Sequence, residues 1–227
     1  MIVEMLRITC PPELQAAFLQ RDAEVWTRRL TALPLFLGKE VWFDPQKPGQ
    51  LVLIIHMESL AQLRAIPQAW IDETEAAMGT LKMPETSEIF EVARPDPRYQ
   101  SAASPAAPAA GLVPGGPTAM VVEFLRVTCP PEKRAAFVWR DHAVWTQALM
   151  TQPGFLGKEV WLDPSKPDEV AMAIHMESLA HLRAIPKEWC DQTDAAMGDL
   201  LMPLTAEIFA VTHPDPRYRL NAITIRP

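Results

Sequence analysis

Glycine is scarce in this 227-residue chain, at nine residues, and none of them forms a glycine-rich phosphate loop, so nucleotide cofactors are not indicated. Cysteine is limited to Cys10, Cys129 and Cys190, an odd number with no Cys-x-x-Cys spacing. With no His-Glu-x-x-His either, no metal signature is present, and the three thiols read as small buried hydrophobes in a reduced, cytoplasmic setting. Long apolar runs are lacking: the best candidate, Leu51 to Ile55, stops at His56, far short of the ~20 residues that cross a bilayer. No basic region precedes an apolar stretch at the start, so no signal peptide is expected. Positive charge is also in deficit. Twenty-one Lys and Arg against 28 Asp and Glu leave a net charge of -7, which argues against a nucleic-acid partner. Asparagine occurs once, at Asn221.

Proline, by contrast, is abundant at 23 residues, while the 48% apolar and 22% charged shares are those of an ordinary globular protein. Much of the sequence is written twice. Val3-Glu-Met-Leu-Arg-Ile-Thr-Cys-Pro-Pro12 recurs as Val122-Glu-Phe-Leu-Arg-Val-Thr-Cys-Pro-Pro131, and the offset is 119 both at Glu4 and at Tyr99. No gap is needed, and about 62 of the 97 paired positions are identical. Residues 1–99 and 120–218 are therefore read as two copies of one unit. Residues 100–119, rich in Pro, Ala and Gly, form a linker, and 219–227 a tail.

Within a copy the patterning predicts a βαββαβ order. Val3–Thr9 alternates as a strand, residues 13–33 carry helical spacing, and Phe36–Phe43 and Leu51–Glu58 are strands. Ser59 caps a second helix that Pro67 should kink, and Ser87–Val92 is the last strand. Such a unit places both helices on one face of an antiparallel sheet, an α+β ferredoxin-like arrangement. In the third strand Leu51, Leu53, Ile55 and Met57 form one face, and Val52, Ile54, His56 and Glu58 the other. Both faces begin apolar, so the second needs a cover, and the matching sheet of the other copy is the nearest one. The expected architecture is two tandem ferredoxin-like domains packed sheet to sheet as an intrachain pseudo-dimeric α+β barrel, with a further oligomer left open.

The strings Val3-Glu-Met-Leu-Arg-Ile8, Phe36-Leu-Gly-Lys-Glu-Val-Trp-Phe-Asp-Pro45 and Glu58-Ser-Leu-Ala-Gln-Leu-Arg-Ala-Ile-Pro67 resemble a small, uncharacterised cyanobacterial family. That family is similar to antibiotic-biosynthesis monooxygenases of the dimeric α+β barrel superfamily. The resemblance implies paired sheets enclosing a cavity for a small apolar or aromatic molecule. It spans cofactor-free oxygenases, haem-degrading enzymes, isomerases, cyclases and proteins without activity, so the fold alone selects no reaction. Haem-degrading and several cofactor-free members use an Asn in the early strand. Here that strand offers Arg7 and Thr9, or Arg126 and Thr128, so this catalytic set does not transfer.

His56 and His175 are the candidate catalytic residues, because a neutral imidazole on a cavity-lining face can act as general base or ligate haem. The plainer alternative is a histidine at the sheet edge, hydrogen-bonded to Glu58 or Glu177 or to solvent. Arg7 and Arg126 lie on the parity opposite Leu6 and Ile8, facing either a carboxylate such as Glu40 or Glu58 or an anionic ligand. Trp42 and Trp161, with Trp26, Trp70, Trp145 and Trp189, either wall an aromatic ligand or belong to the core. Val52 and Ile54 become Ala171 and Ala173 in the second copy, which either opens a pocket there or accommodates side chains of the first copy.

The sequence thus points to a small-molecule-binding protein, monooxygenase-like if it is an enzyme, with a cavity between the sheets and no cofactor. The alternatives are a non-catalytic binding or scaffold protein and, disfavoured by the missing Asn, a haem binder.

Overall fold

The structure, a computed structural model, describes residues 1–94 and 119–213. Apart from residue 119, the expected linker lies outside the described residues, as does the expected tail. Eight strands run β1 (Ile2–Thr9), β2 (Phe36–Phe43), β3 (Gln50–Met57), β4 (Glu85–Arg94), β5 (Val121–Thr128), β6 (Phe155–Leu162), β7 (Glu169–Met176) and β8 (Leu204–His213). They close into one antiparallel barrel in the order β1-β3-β2-β8-β5-β7-β6-β4.

In each half the inner pairings, β1 with β3 and β4 and β3 with β2, and β5 with β7 and β8 and β7 with β6, make a four-stranded sheet. The outer strands of each sheet present unpaired N–H and C=O groups, which the other half satisfies: β2 pairs with β8, and β4 with β6. The sheets of the two halves thus close into the α+β barrel that the sequence led us to expect. Hydrogen bonds along two seams join them into a single closed surface.

The helices follow the sequence pattern with one departure. A helix over Pro12–Asp22 passes into a π-helical turn at Ala23–Thr27 before a last turn at Arg28–Leu30, and His142–Thr146 repeats this turn in the second half. Pro67 does more than kink the next helix. It splits it into Leu60–Arg64 and Gln68–Met78, itself standing extended before the second piece. The cap of the first piece is a serine hydroxyl: Ser59 Oγ accepts from the Gln62 backbone N–H and Ser178 Oγ from that of His181, both at 3.2 Å. That contact asks nothing of the side chain three residues on, so Gln62 and His181 interchange. Gly79 and Gly198 end the long helices at φ +61° and +63°, a conformation that glycine adopts without strain. Among the described residues no helix is long and apolar enough to cross a membrane.

The strand parities sort the core into two layers. Val3, Met5, Trp42, Val52, Ile54 and Phe90, with their second-half counterparts, point into the barrel, and all are at most 3% exposed. Ile8, Val41, Leu51 and Leu53 point outward against the helices, as do Val127, Val160, Val170 and Met172.

Candidate functional site

The barrel interior holds most of the residues singled out from the sequence, but as packing rather than as the lining of a space. Trp42 and Trp161 stack across the centre with ring centroids 6.2 Å apart and planes 12° from parallel. Phe209 lies 5.5 Å from Trp42, Phe90 lies 5.6 Å from Trp161, and Phe124 contacts both indoles. Aromatic rings thus occupy the centre of the space in which a cavity between the sheets was expected. Ala171 and Ala173 explain themselves there. Phe124 stands where the first half has Met5, so the larger ring takes the volume that Val52 and Ile54 fill in the other half.

His56 and His175 also sit in this interior, each 1% exposed. Their hydrogen bonds reach into the opposite half: His56 Nε2 to Glu159 Oε2 at 2.8 Å, and His175 Nε2 to Glu40 Oε2 at 3.0 Å. Each glutamate oxygen also accepts an indole N–H, from Trp161 at 2.9 Å and from Trp42 at 2.7 Å. Burial, the largest single influence, works to raise both carboxyls. The two imidazoles and the indole donor outweigh it and hold Glu40 and Glu159 below the ordinary glutamate value. A haem does not fit at either histidine, since both Nε2 atoms are engaged and aromatic rings occupy the surrounding volume. Glu58 and Glu177, offered as partners from the sequence, are exposed; Glu58 accepts from Gln62 at 3.0 Å, and Glu177 lies 3.6 Å from His181.

Arg7 and Arg126 do face the inter-sheet side, at the ends of the barrel. Arg7 pairs with Glu207 at 2.7 Å, and Arg126 with Glu88 and Glu169 at 2.5 Å each. These carboxylates are not the ones expected, because Glu40 is spent on a histidine and Glu58 points to solvent. Lys47 and Lys166 join the same clusters.

The open space lies on the other side of the sheet. Each half holds a cavity between its helices and the outward face of its strands, about 210 Å³ in the first and about 330 Å³ in the second. Tryptophans form part of the wall, Trp26 and Trp70 in the first and Trp145 in the second: Trp26 meets Trp70 edge to face at 5.9 Å, and Trp189 packs on Trp145 at 5.7 Å. An ion pair lines each cavity. Lys39 Nζ lies 2.6 Å from Asp22, and Lys158 Nζ lies 2.6 Å from Asp141, with all four side chains at most 6% exposed. The π-helical turn aids the first aspartate. It sets Thr27 five residues on, where its hydroxyl donates to Asp22 Oδ2 at 3.3 Å.

A further carboxyl lines each cavity, from the first strand of each half. Burial, the main cause, raises Glu4 and Glu123, against the downward pull of Lys39 and Lys158. Burial also lowers Lys158, against the upward pull of Asp141 and Glu123. An amine, a carboxylate and a carboxyl of perturbed acidity thus converge with indoles in a small apolar space, an arrangement able to hold an apolar molecule and move a proton on it.

None of Glu4, Asp22, Lys39, Glu123, Asp141 and Lys158 was singled out from the sequence. The available signal was parity: Glu4 shares a face with Leu6 and Ile8, and Lys39 with Val41 and Phe43, a charge on an otherwise apolar, helix-facing row. Trp26 and Trp145, by contrast, were among the tryptophans considered, and they line the cavities.

No protein-family model and no curated protein matches the chain. Solved structures do. A candidate monooxygenase from Lactobacillus acidophilus NCFM aligns over 93% of each chain with 8% identity and a TM-score of 0.64. A candidate monooxygenase from Fusobacterium nucleatum aligns over 94% of this chain and 93% of its own, with 10% identity and a TM-score of 0.62. An anthrone oxidase-like protein aligns over 93% of this chain and 92% of its own, with 17% identity and a TM-score of 0.56. Identities this low show the fold alone: the chain has the α+β barrel architecture of monooxygenase-like proteins.

Proposed function

We propose that this protein binds a small apolar or aromatic molecule between the helices and the sheet, and acts on it as a monooxygenase-like enzyme that needs no cofactor. One observation carries the reading: an indole-walled cavity in which a buried Lys–Asp pair and a carboxyl raised by burial meet. In the second half Glu123 is the group suited to take a proton from the bound molecule, since a base works best when its pKa approaches the working pH. Lys158, beside it, stabilises the anion that proton loss creates, and dioxygen is the co-substrate, one oxygen atom entering the molecule and the other leaving as water with two hydrogens that the molecule itself gives up. The names of the aligned structures, two candidate monooxygenases and an anthrone oxidase-like protein, are consistent with this class. We further read the chain as a duplicated unit closed on itself as a pseudo-dimer. The 119-residue offset and the reciprocal pairs His56–Glu159 and His175–Glu40 support that view.

Native mass spectrometry of protein purified from its own host should identify the bound molecule. Oxygen uptake with that molecule should then fall at least about 100-fold in Glu123→Gln. A molecule that binds but is returned unchanged, with no oxygen consumed, makes the protein a non-catalytic carrier. No retained molecule, and no thermal shift with a panel of apolar aromatics, defeats the binding reading altogether.

A further inference from the structure

The two cavities are not equivalent, although they occupy matching places. Ile8, Ile71, Glu75 and Ser87 of the first half are replaced by Val127, Cys190, Asp194 and Ala206, each a loss of bulk. The second cavity is correspondingly larger, and at about 330 Å³ it reaches the range of small-molecule sites, roughly 300 Å³ upward, which the first at 210 Å³ does not.

Their mouths differ in chemistry as well. Lys82 and Glu85 line the first, with Lys82 ion-paired to Glu75. Entry of an apolar molecule there desolvates charge. The matching residues of the second are Leu201 and Leu204, with Ile208 beside them. These three are half of the large apolar residues exposed among the described ones, at 50%, 51% and 38%. Exposed leucines cluster at an opening where apolar ligands enter.

The polar floor completes the contrast. In the first half both Asp22 oxygens are occupied, Oδ1 and Oδ2 by Lys39 at 2.7 and 2.6 Å, and Oδ2 by Thr27 as well. In the second half Lys158 donates to Asp141 Oδ1 alone, and Oδ2 is buried with no hydrogen-bond partner among the described residues. Asp141 is 2% exposed and lines the cavity. A buried carboxylate oxygen left without a donor is costly, and a ligand hydroxyl would relieve it.

Resting on the binding reading above, we propose that the second-half cavity alone is the ligand site, and that it selects an uncharged, mainly apolar molecule presenting one O–H to Asp141 Oδ2. The first-half cavity is a structural remnant with a charged mouth and a satisfied floor.

The test uses 1-naphthol and 1-methoxynaphthalene, which share their rings and differ in the donor, titrated calorimetrically into the full chain. The expected result is one 1-naphthol per chain, bound about tenfold or more tighter than the ether. Leu201→Lys with Leu204→Glu should weaken 1-naphthol at least about tenfold, whereas Lys82→Leu with Glu85→Leu should leave the affinity of the second-half site unchanged. Location is read independently in the unmutated protein. Cys190 lines only the second cavity, while Cys10 and Cys129 are fully buried, so 1-naphthol should slow N-ethylmaleimide modification of Cys190. Two molecules per chain, equal binding of naphthol and ether, or unprotected Cys190 overturns this assignment while leaving the binding reading in place. Failure of both probes to bind overturns both.

Discussion

Replacing His56 by leucine separates a structural role for the interior histidines from a catalytic one. The imidazole sits 2.8 Å from Glu159, both groups are essentially inaccessible to solvent, and the carboxylate lies in an aromatic shell. His56→Leu keeps the bulk and removes the partner that most strongly opposes the burial penalty on Glu159. One indole donor, Trp161 Nε1, remains. Removing the partner of a buried carboxylate typically costs about 3–5 kcal/mol, a large part of a total stability of about 5–15 kcal/mol. Urea unfolding at pH 7, followed by far-UV circular dichroism, should show that loss. The double variant His56→Leu/Glu159→Leu should recover most of it, because no carboxylate is then stranded. A single-variant loss below about 1 kcal/mol, or a double variant as unstable as the single, refutes the reasoning. Either result would return His56 to the list of catalytic candidates.

The same pairs set an acid limit. Glu40 and Glu159 are held below their ordinary value of 4.5, so their stabilisation is present above that pH and is lost as pH falls through the lower folded-state values. Urea midpoints should accordingly drop steeply below pH 4.5, and less steeply in the His56→Leu/Glu159→Leu variant. Glu123 acts in the opposite sense. Because burial raises it, its ionisation opposes folding at high pH, and Glu123→Gln should gain stability at pH 8 relative to pH 4. Lys158→Met should cost about 3–5 kcal/mol by stranding Asp141, with Lys158→Met/Asp141→Leu close to the parent in chemical denaturation. Ala173→Ile should overpack the interior by about 1–3 kcal/mol, and Phe124→Met in the same chain should relieve it; additive losses would show that the two positions do not share volume.

What the sequence displayed was periodicity, and periodicity reports one chain segment at a time. The alternation of Leu51 to Met57 assigned β3 to within a residue and separated its two faces correctly. The alternation of Arg7 with Leu6 and Ile8 gave the arginine its side of the sheet. The partners were a different matter, because Glu207, Glu88 and Glu159 are brought to Arg7, Arg126 and His56 by strand pairings more than a hundred residues apart or by closure of the barrel. Which space could hold a ligand was not legible for a related reason. Tryptophan and histidine on a covered face suit a ligand cavity and an aromatic core equally well, and only packing decides between them. The π-helical turn left no mark in the hydrophobic spacing, since one added residue shifts the stripe by a single position. Ser87, whose place Ala206 takes in the second half, donates to Glu4 on the helix side, so that loss of bulk belongs to the helix-facing layer.

Closure along the β2–β8 and β4–β6 seams has a kinetic consequence. A barrel assembled from separate subunits forms by collision, and its yield depends on concentration. Here both seams are made within one chain, and tethering converts encounter into a unimolecular step at an effective concentration in the millimolar range. Dilution should therefore leave the refolding rate unchanged. Sheet edges that could template aggregation are exposed only for as long as the halves take to find each other.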